Sequence, residues 1–257
     1  MKAAFLCMIV ALALTPKAGA APLEAAAESY RHLLLEDVGQ ALAGARALRE
    51  RLAAHDLDGA KRAWVAARVG WERSEVYTSG FVPELDQQID AWPNATHGFH
   101  GIEAALFGAS RADPAEETEA LISHLADLKA QIGGIDLSPQ RLLNGIARLA
   151  FEIGGNKADG GESRLSGTSL NDMRSNADGI ALAYRVIFAD AVEASDPKLA
   201  AAARAAVERL QAAVKIPDLR HLDAERLRAD SEELVALLQM AAPKISLDKA
   251  TLEEGAR

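Results

Sequence analysis

Apolar residues recur at three- and four-residue spacing through nearly the whole chain, as in "YRHLLLEDVGQALAGARALRERLAAH" (30–55), with charged residues filling the remaining positions. That period is helical, and runs of alternating β-branched residues, the mark of half-buried strands, are missing. The pattern predicts an all-α fold with helices near 23–54, 57–79, 95–108, 114–132, 139–153, 169–194, 197–214 and 223–241. Three starts carry Asp or Ser followed by proline at the first helical position: Asp113-Pro114, Ser138-Pro139 and Asp196-Pro197. Eight helices fit two four-helix-bundle-like halves around a cleft, one over 21–112 carrying the HxxE motif and one over 113–257; a single continuous bundle fits the same pattern.

Two segments break the period, "SGFVPELDQQIDAWPNAT" (79–96) and "GGNKADGGESRLSGTS" (154–169). Both are too long and too rich in glycine or proline for tight turns, and loops of that length in a compact domain usually carry function. In the second block and just beyond it stand Glu162, Arg164, Ser166, Thr168, Asp172, Asn176 and Asp178, and Thr168 or the adjacent Ser169 would cap the following helix.

The first twenty residues, "MKAAFLCMIVALALTPKAGA", have a lysine, an apolar run and a small-residue Ala18-Gly19-Ala20 end, the layout of a signal peptide cut before Ala21. The expected location is the bacterial periplasm, with no membrane anchor, since no later stretch is apolar enough to span a bilayer. The one cysteine, Cys7, lies in that segment, so any metal must be held by His, Asp, Glu or Tyr. Without Lys2 and Lys17, 26 of the 28 basic residues remain against 37 acidic ones, a formal charge of −11 that argues against nucleic acid as a partner.

The chemistry concentrates in "NATHGFHGIEAALFG" (94–108), where His100 and Glu103, three apart on a helix, can offer an imidazole nitrogen and a carboxylate to one point. The same pair also fits an exposed surface contact worth a few tenths of a kcal/mol. His97 is turned off that face and suits a cap or a local hydrogen bond. Upstream, Glu72 and Glu75 are again three apart, between Trp71 and Tyr77, and could face His100 and Glu103 across a bundle, with Asp86 and Asp90 closing one side. Acids converging without Lys or Arg would repel, and a cation is the usual resolution. For Glu72 a solvated pair with Arg68 or Arg73 is the plain alternative. No nucleotide-binding glycine motif, GxSxG, CxxC, HExxH or HxxEH occurs.

Gly98-Phe99-His100-Gly101-Ile102-Glu103 reads as GxHxxE, and with it the chain resembles the imelysin-like superfamily. "GFHGIEAALF", "WERSE" and "ESRLSGTSLNDMRSNADG" (162–179) are most similar to the EfeO/EfeM-type periplasmic iron-uptake proteins. The resemblance implies two helical halves around a cleft and a metal-binding site, iron above all, with zinc, copper, manganese or calcium also admitted by the donors. Its implied ligands are His100, Glu103, Glu72, Glu75, Asp90, whose offset is displaced by one, and Glu162. Its implied partners are an inner-membrane iron permease and a heme-peroxidase-like periplasmic protein. The cupredoxin domain of longer members is not expected, and Gly101 stands where a basic residue is common. Two other functions fit the same residues. One is an imelysin-type metallopeptidase, with Glu72 or Glu75 activating a zinc-bound water. The other is an organic-ligand module anchored by His100 and Glu103, with Trp71, Trp92 or Tyr77 stacking and Arg164 in support.

Overall fold

A computed structural model describes residues 20–90, 96–109 and 113–252. Among these the fold is all-α, with no strand. The helices are α1 (Ala20–Ala53), α2 (Leu57–Phe81), α3 (Pro83–Asp90), α4 (Gly98–Phe107), α5 (Ala115–Ile132), α6 (Pro139–Gly154), α7 (Ser169–Ala183), α8 (Ala189–Ser195), α9 (Pro197–Ala213) and α10 (Ala224–Ala241). A π-helical turn, Tyr184–Phe188, joins α7 to α8, so the long helix expected over 169–194 is continuous but widened at that point. No helix among the described residues is long and apolar enough to cross a membrane. The proposed signal segment lies, but for Ala20, outside the described residues, as does Trp92.

The segment 79–96 departs from expectation: α2 runs on to Phe81 and residues 83–90 form α3. Pro83 at the first position, with Glu84 and Asp86 in the first turn, is a helix start that the surrounding Gly and Pro obscure. The segment 154–169 is irregular as expected, a series of turns between α6 and α7. Of the three Pro-marked starts, Asp196 caps α9 by accepting from the Leu199 amide at 3.1 Å, whereas Ser138 makes no side-chain cap bond and α5 begins one residue later than Pro114. Neither Thr168 nor Ser169 caps α7; both hydroxyls are drawn into the turns before it.

α1 and α2 pair antiparallel after a turn at 54–56, where Asp56 caps α2 by accepting from the Gly59 amide at 2.8 Å. α5 packs on α1, and α6 and α7 pack on α2; α9 and α10 close the far side. The apolar residues of all these helices form one continuous core that includes Trp64, Trp71, Phe99, Ile146 and Phe188. α2 is thus the axis: its buried polar face meets α3, α4, α6 and α7, and the polar residues gather there. Residues 110–112, next to the proposed division between halves, lie outside the described residues.

Candidate metal centre

Arg68, Trp71, Glu72 and Glu75 fall at i, i+3, i+4 and i+7 on α2 and so share one face. Opposite it, α4 is held by its first turn. Gly98 has φ +60°, and a Cβ there would run into the Ile89 carbonyl oxygen, so only glycine fits at the head of the motif. Phe99 packs against Trp64 and Trp71, with ring centroids 6.5 and 6.2 Å apart, and its carbonyl accepts from Trp64 Nε1 at 3.0 Å. The next residue, His100, is thereby driven inward and is 1 % exposed.

His100 Nδ1 lies 3.1 Å from Glu103 Oε2, and Nε2 lies 3.6 Å from Asp90 Oδ1. The other Glu103 oxygen accepts from the Ser166 amide at 2.8 Å and the Ser166 hydroxyl at 2.7 Å. The exposed-pair alternative is therefore excluded, and the two polar blocks of the sequence meet. His97 makes the local bonds expected of it, Nδ1 to Thr96 Oγ1 at 2.9 Å and Nε2 to the Gln87 carbonyl at 3.1 Å.

The premise that the acids converge without Lys or Arg is wrong. Arg68, 1 % exposed, contacts Asp90 at 3.1 Å, Asp172 at 3.3 Å, Glu162 at 3.4 Å and, more closely, Glu72. The solvated Arg68–Glu72 pair is in fact fully buried. Lys157 places its ammonium 2.8 Å from Glu75, 3.3 Å from Glu72 and 3.0 Å from Glu162. Asn176 closes the group, donating to the Glu72 carbonyl at 2.8 Å and to Glu75 Oε2 at 2.7 Å. Its reach follows from α7 lying close against α2 at Gly179, where a Cβ would meet the Arg73 carbonyl.

Charge in so dry a cluster is redistributed through protons. Burial pushes Glu162 up to about 8, against the pull of Lys157. Burial and the neighbouring Glu72 charge hold Glu75 well above the carboxylate range. Burial also raises Glu72 and Asp90, but Arg68 and Lys157 outweigh it at Glu72, and His100 and Arg68 at Asp90, so both stay low. His100 is lowered by burial yet lifted to about 9 by Asp90 and Glu103. Near neutral pH the centre thus stores protons on Glu162 and His100.

Two sets of donor atoms lie within 4.8 Å of one another: Asp90, His100 and Glu162, and Glu72, Glu75 and Glu162. Five of the six residues singled out by sequence meet here, with Glu162 common to both sets. Glu103 belongs to neither, because its oxygens are committed to His100 and Ser166; it orients the imidazole instead. An imidazole and carboxylates without thiolate suit iron, and the first set offers three such donors. A cavity of about 150 Å³ lined by Glu75, Asp86, Asp90, Arg148, Lys157 and Glu162 adjoins them. Arg164, by contrast, has its side chain 70 % exposed, 3.7 Å from Asp159 and away from the cluster. Tyr77 stacks on Phe81 in the core, and Trp71 donates to Asp90 at 3.1 Å. Arg68, Lys157, Asp172 and Asn176 were not assigned to the site from sequence; Arg68 carried a signal, four residues before Glu72, while Lys157 carried none.

Comparison with known proteins places the chain among relatives and a shared fold. The chain is 30% identical over 161 residues to an iron uptake system component EfeO of Yersinia pseudotuberculosis, covering 58% of this chain and 42% of that one. Against the component of the same name in Escherichia coli K12 it is 29% identical over 168 residues, 61% of this chain and 44% of the relative. The chain therefore spans less than half the length of these relatives. A solved structure of an iron-regulated protein A precursor from Parabacteroides distasonis superposes with a TM-score of 0.71 over 88% of this chain and 95% of the other, at 16% identity, and shares the fold. The imelysin (peptidase M75) family matches over residues 26–96 and 93–246, nearly all of the described helices, and the chain belongs to that family.

Proposed function

We propose that this protein captures an iron ion in the periplasm, as part of an iron uptake system, and delivers it to an inner-membrane permease, with a heme-peroxidase-like protein as a further partner. The observation that carries the proposal is the convergence of Asp90, His100 and Glu162 within 4.8 Å in a buried, acid-rich cluster. The relatives named as iron uptake components support the same cargo. Glu72 and Glu75 form the flanking acid group, and Glu103 fixes the imidazole from behind. The centre draws residues from both 21–112 and 113–257, which we take as the two halves whose junction holds the ion.

A peptidase would need an unencumbered base to activate water. Both glutamates that could serve, Glu72 and Glu75, are bound by Lys157 and Asn176, which weighs against it. The test is elemental analysis and calorimetric titration of chain 21–257 with ferrous iron under nitrogen. Stoichiometric binding should be lost in His100→Ala and Glu162→Gln, and weakened about 10–100-fold in Glu103→Gln, where only the support of the imidazole changes. Affinity no tighter than about millimolar would refute the proposal.

A further inference from the structure

The second donor set, Glu72, Glu75 and Glu162, already holds a cation. The Lys157 ammonium is 3.3 Å from Glu72 Oε2, 2.8 Å from Glu75 Oε2 and 3.0 Å from Glu162 Oε2, with Asn176 Oδ1 at 2.9 Å. Three carboxylates and an amide carbonyl around one charge are the oxygen donors a hard metal ion would take. The lysine is 7 % exposed, and its backbone is pinned in a turn, its amide donating to the Glu152 carbonyl at 3.0 Å and its carbonyl accepting from Gly160 at 3.0 Å. An ion entering this position would have to displace an ammonium that stays tethered to the chain and pairs within 3.3 Å with these three carboxylates.

We propose that Lys157 is a tethered occupant of the second position and holds the centre to one metal ion, bound at Asp90, His100 and Glu162. This rests on the iron-capture function proposed above. Glu162 is the shared residue: with Lys157 on one side of its carboxylate, a single ion is taken on the other. Without the ammonium, the same carboxylate would bridge two ions, in the manner of carboxylate-rich helical bundles.

Titration with ferrous iron under nitrogen should give one ion per native chain and two in Lys157→Met, which keeps the length of the side chain and removes its charge. The second ion should vanish again in Lys157→Met/Glu75→Gln. One ion in both the native chain and Lys157→Met would overturn this inference and leave iron capture standing; no ion in either would overturn both. Anomalous diffraction from native crystals soaked in zinc gives an answer even if Lys157→Met does not fold. A single peak beside His100 supports the inference, and a second peak between Glu72 and Glu75 overturns it.

Discussion

The proposed metal uptake at this centre should be strongly pH-dependent, because two of its three donors hold protons near neutral pH. Glu162 holds its proton up to about 8 and His100 up to about 9, whereas Asp90 is ionised throughout. An ion bound by Asp90, His100 and Glu162 must expel both protons. Below pH 8 each proton costs about tenfold in apparent affinity per pH unit, so binding should strengthen about 100-fold between pH 6 and 7. The slope falls to about tenfold per unit between pH 8 and 9, once Glu162 is ionised, and levels off above pH 9. The sign is that of both shifts: each folded-state pKa is raised, so the proton is the competitor and affinity grows as pH rises. Calorimetry with ferrous iron under nitrogen at pH 6, 7 and 8, in two buffers of different ionisation enthalpy, measures the slope and the protons released together. A slope of about tenfold per unit below pH 8 would mean that only one proton is exchanged. A native slope no steeper than that, or heats that do not depend on the buffer, would refute the proton-exchange reasoning.

Two further predictions concern the scaffold. Gly98→Ala places a side chain at φ +60° and against the Ile89 carbonyl, so it should destabilise the fold by at least about 2 kcal/mol in urea unfolding; a loss under about 0.5 kcal/mol would mean that the first turn of α4 relaxes freely. Arg68→Met strips the shared cation from Glu72, Asp90 and Asp172, all buried, and should cost about 3–5 kcal/mol at pH 7 in the same assay. Retained stability there would show that the acids take up protons in place of the guanidinium.

How much of this was legible in the chain depends on the range over which each contact acts. His100 and Glu103 are three apart, so their shared face and their direct bond follow from helical geometry alone. The grouping of Glu72 with Glu75 follows in the same way. Burial does not follow: Arg68 stands four residues before Glu72 in a pattern that surface ion pairs share, and only the packing of α4 and α7 onto α2 encloses it. Lys157 is separated from Glu72 and Glu75 by 85 and 82 residues, and no local pattern marks a lysine in a glycine-rich turn as a core cation. The assignment of Glu162 needed the two-block resemblance, because nothing in the spacing of 154–169 points at α2. α3 was missed for a different reason: its Pro-Glu-x-Asp start was outweighed by the glycine before it and the proline after it.

Arg68 and Lys157 offset much of the acidic charge buried in this cluster. Glu72, Asp90 and Glu103 remain ionised next to Arg68, His100 and Lys157, while burial keeps a proton on Glu162 and pushes Glu75 in the same direction. In the proposed function, capture would therefore replace protons with a metal ion at side chains that are already gathered. The same balance sets a direction for release. Returning protons to His100 and Glu162 would remove two of the three proposed donors at once, while Arg68 pairs with Asp90 and Glu72. Reversible loading of this kind is what the proposed carrier function requires.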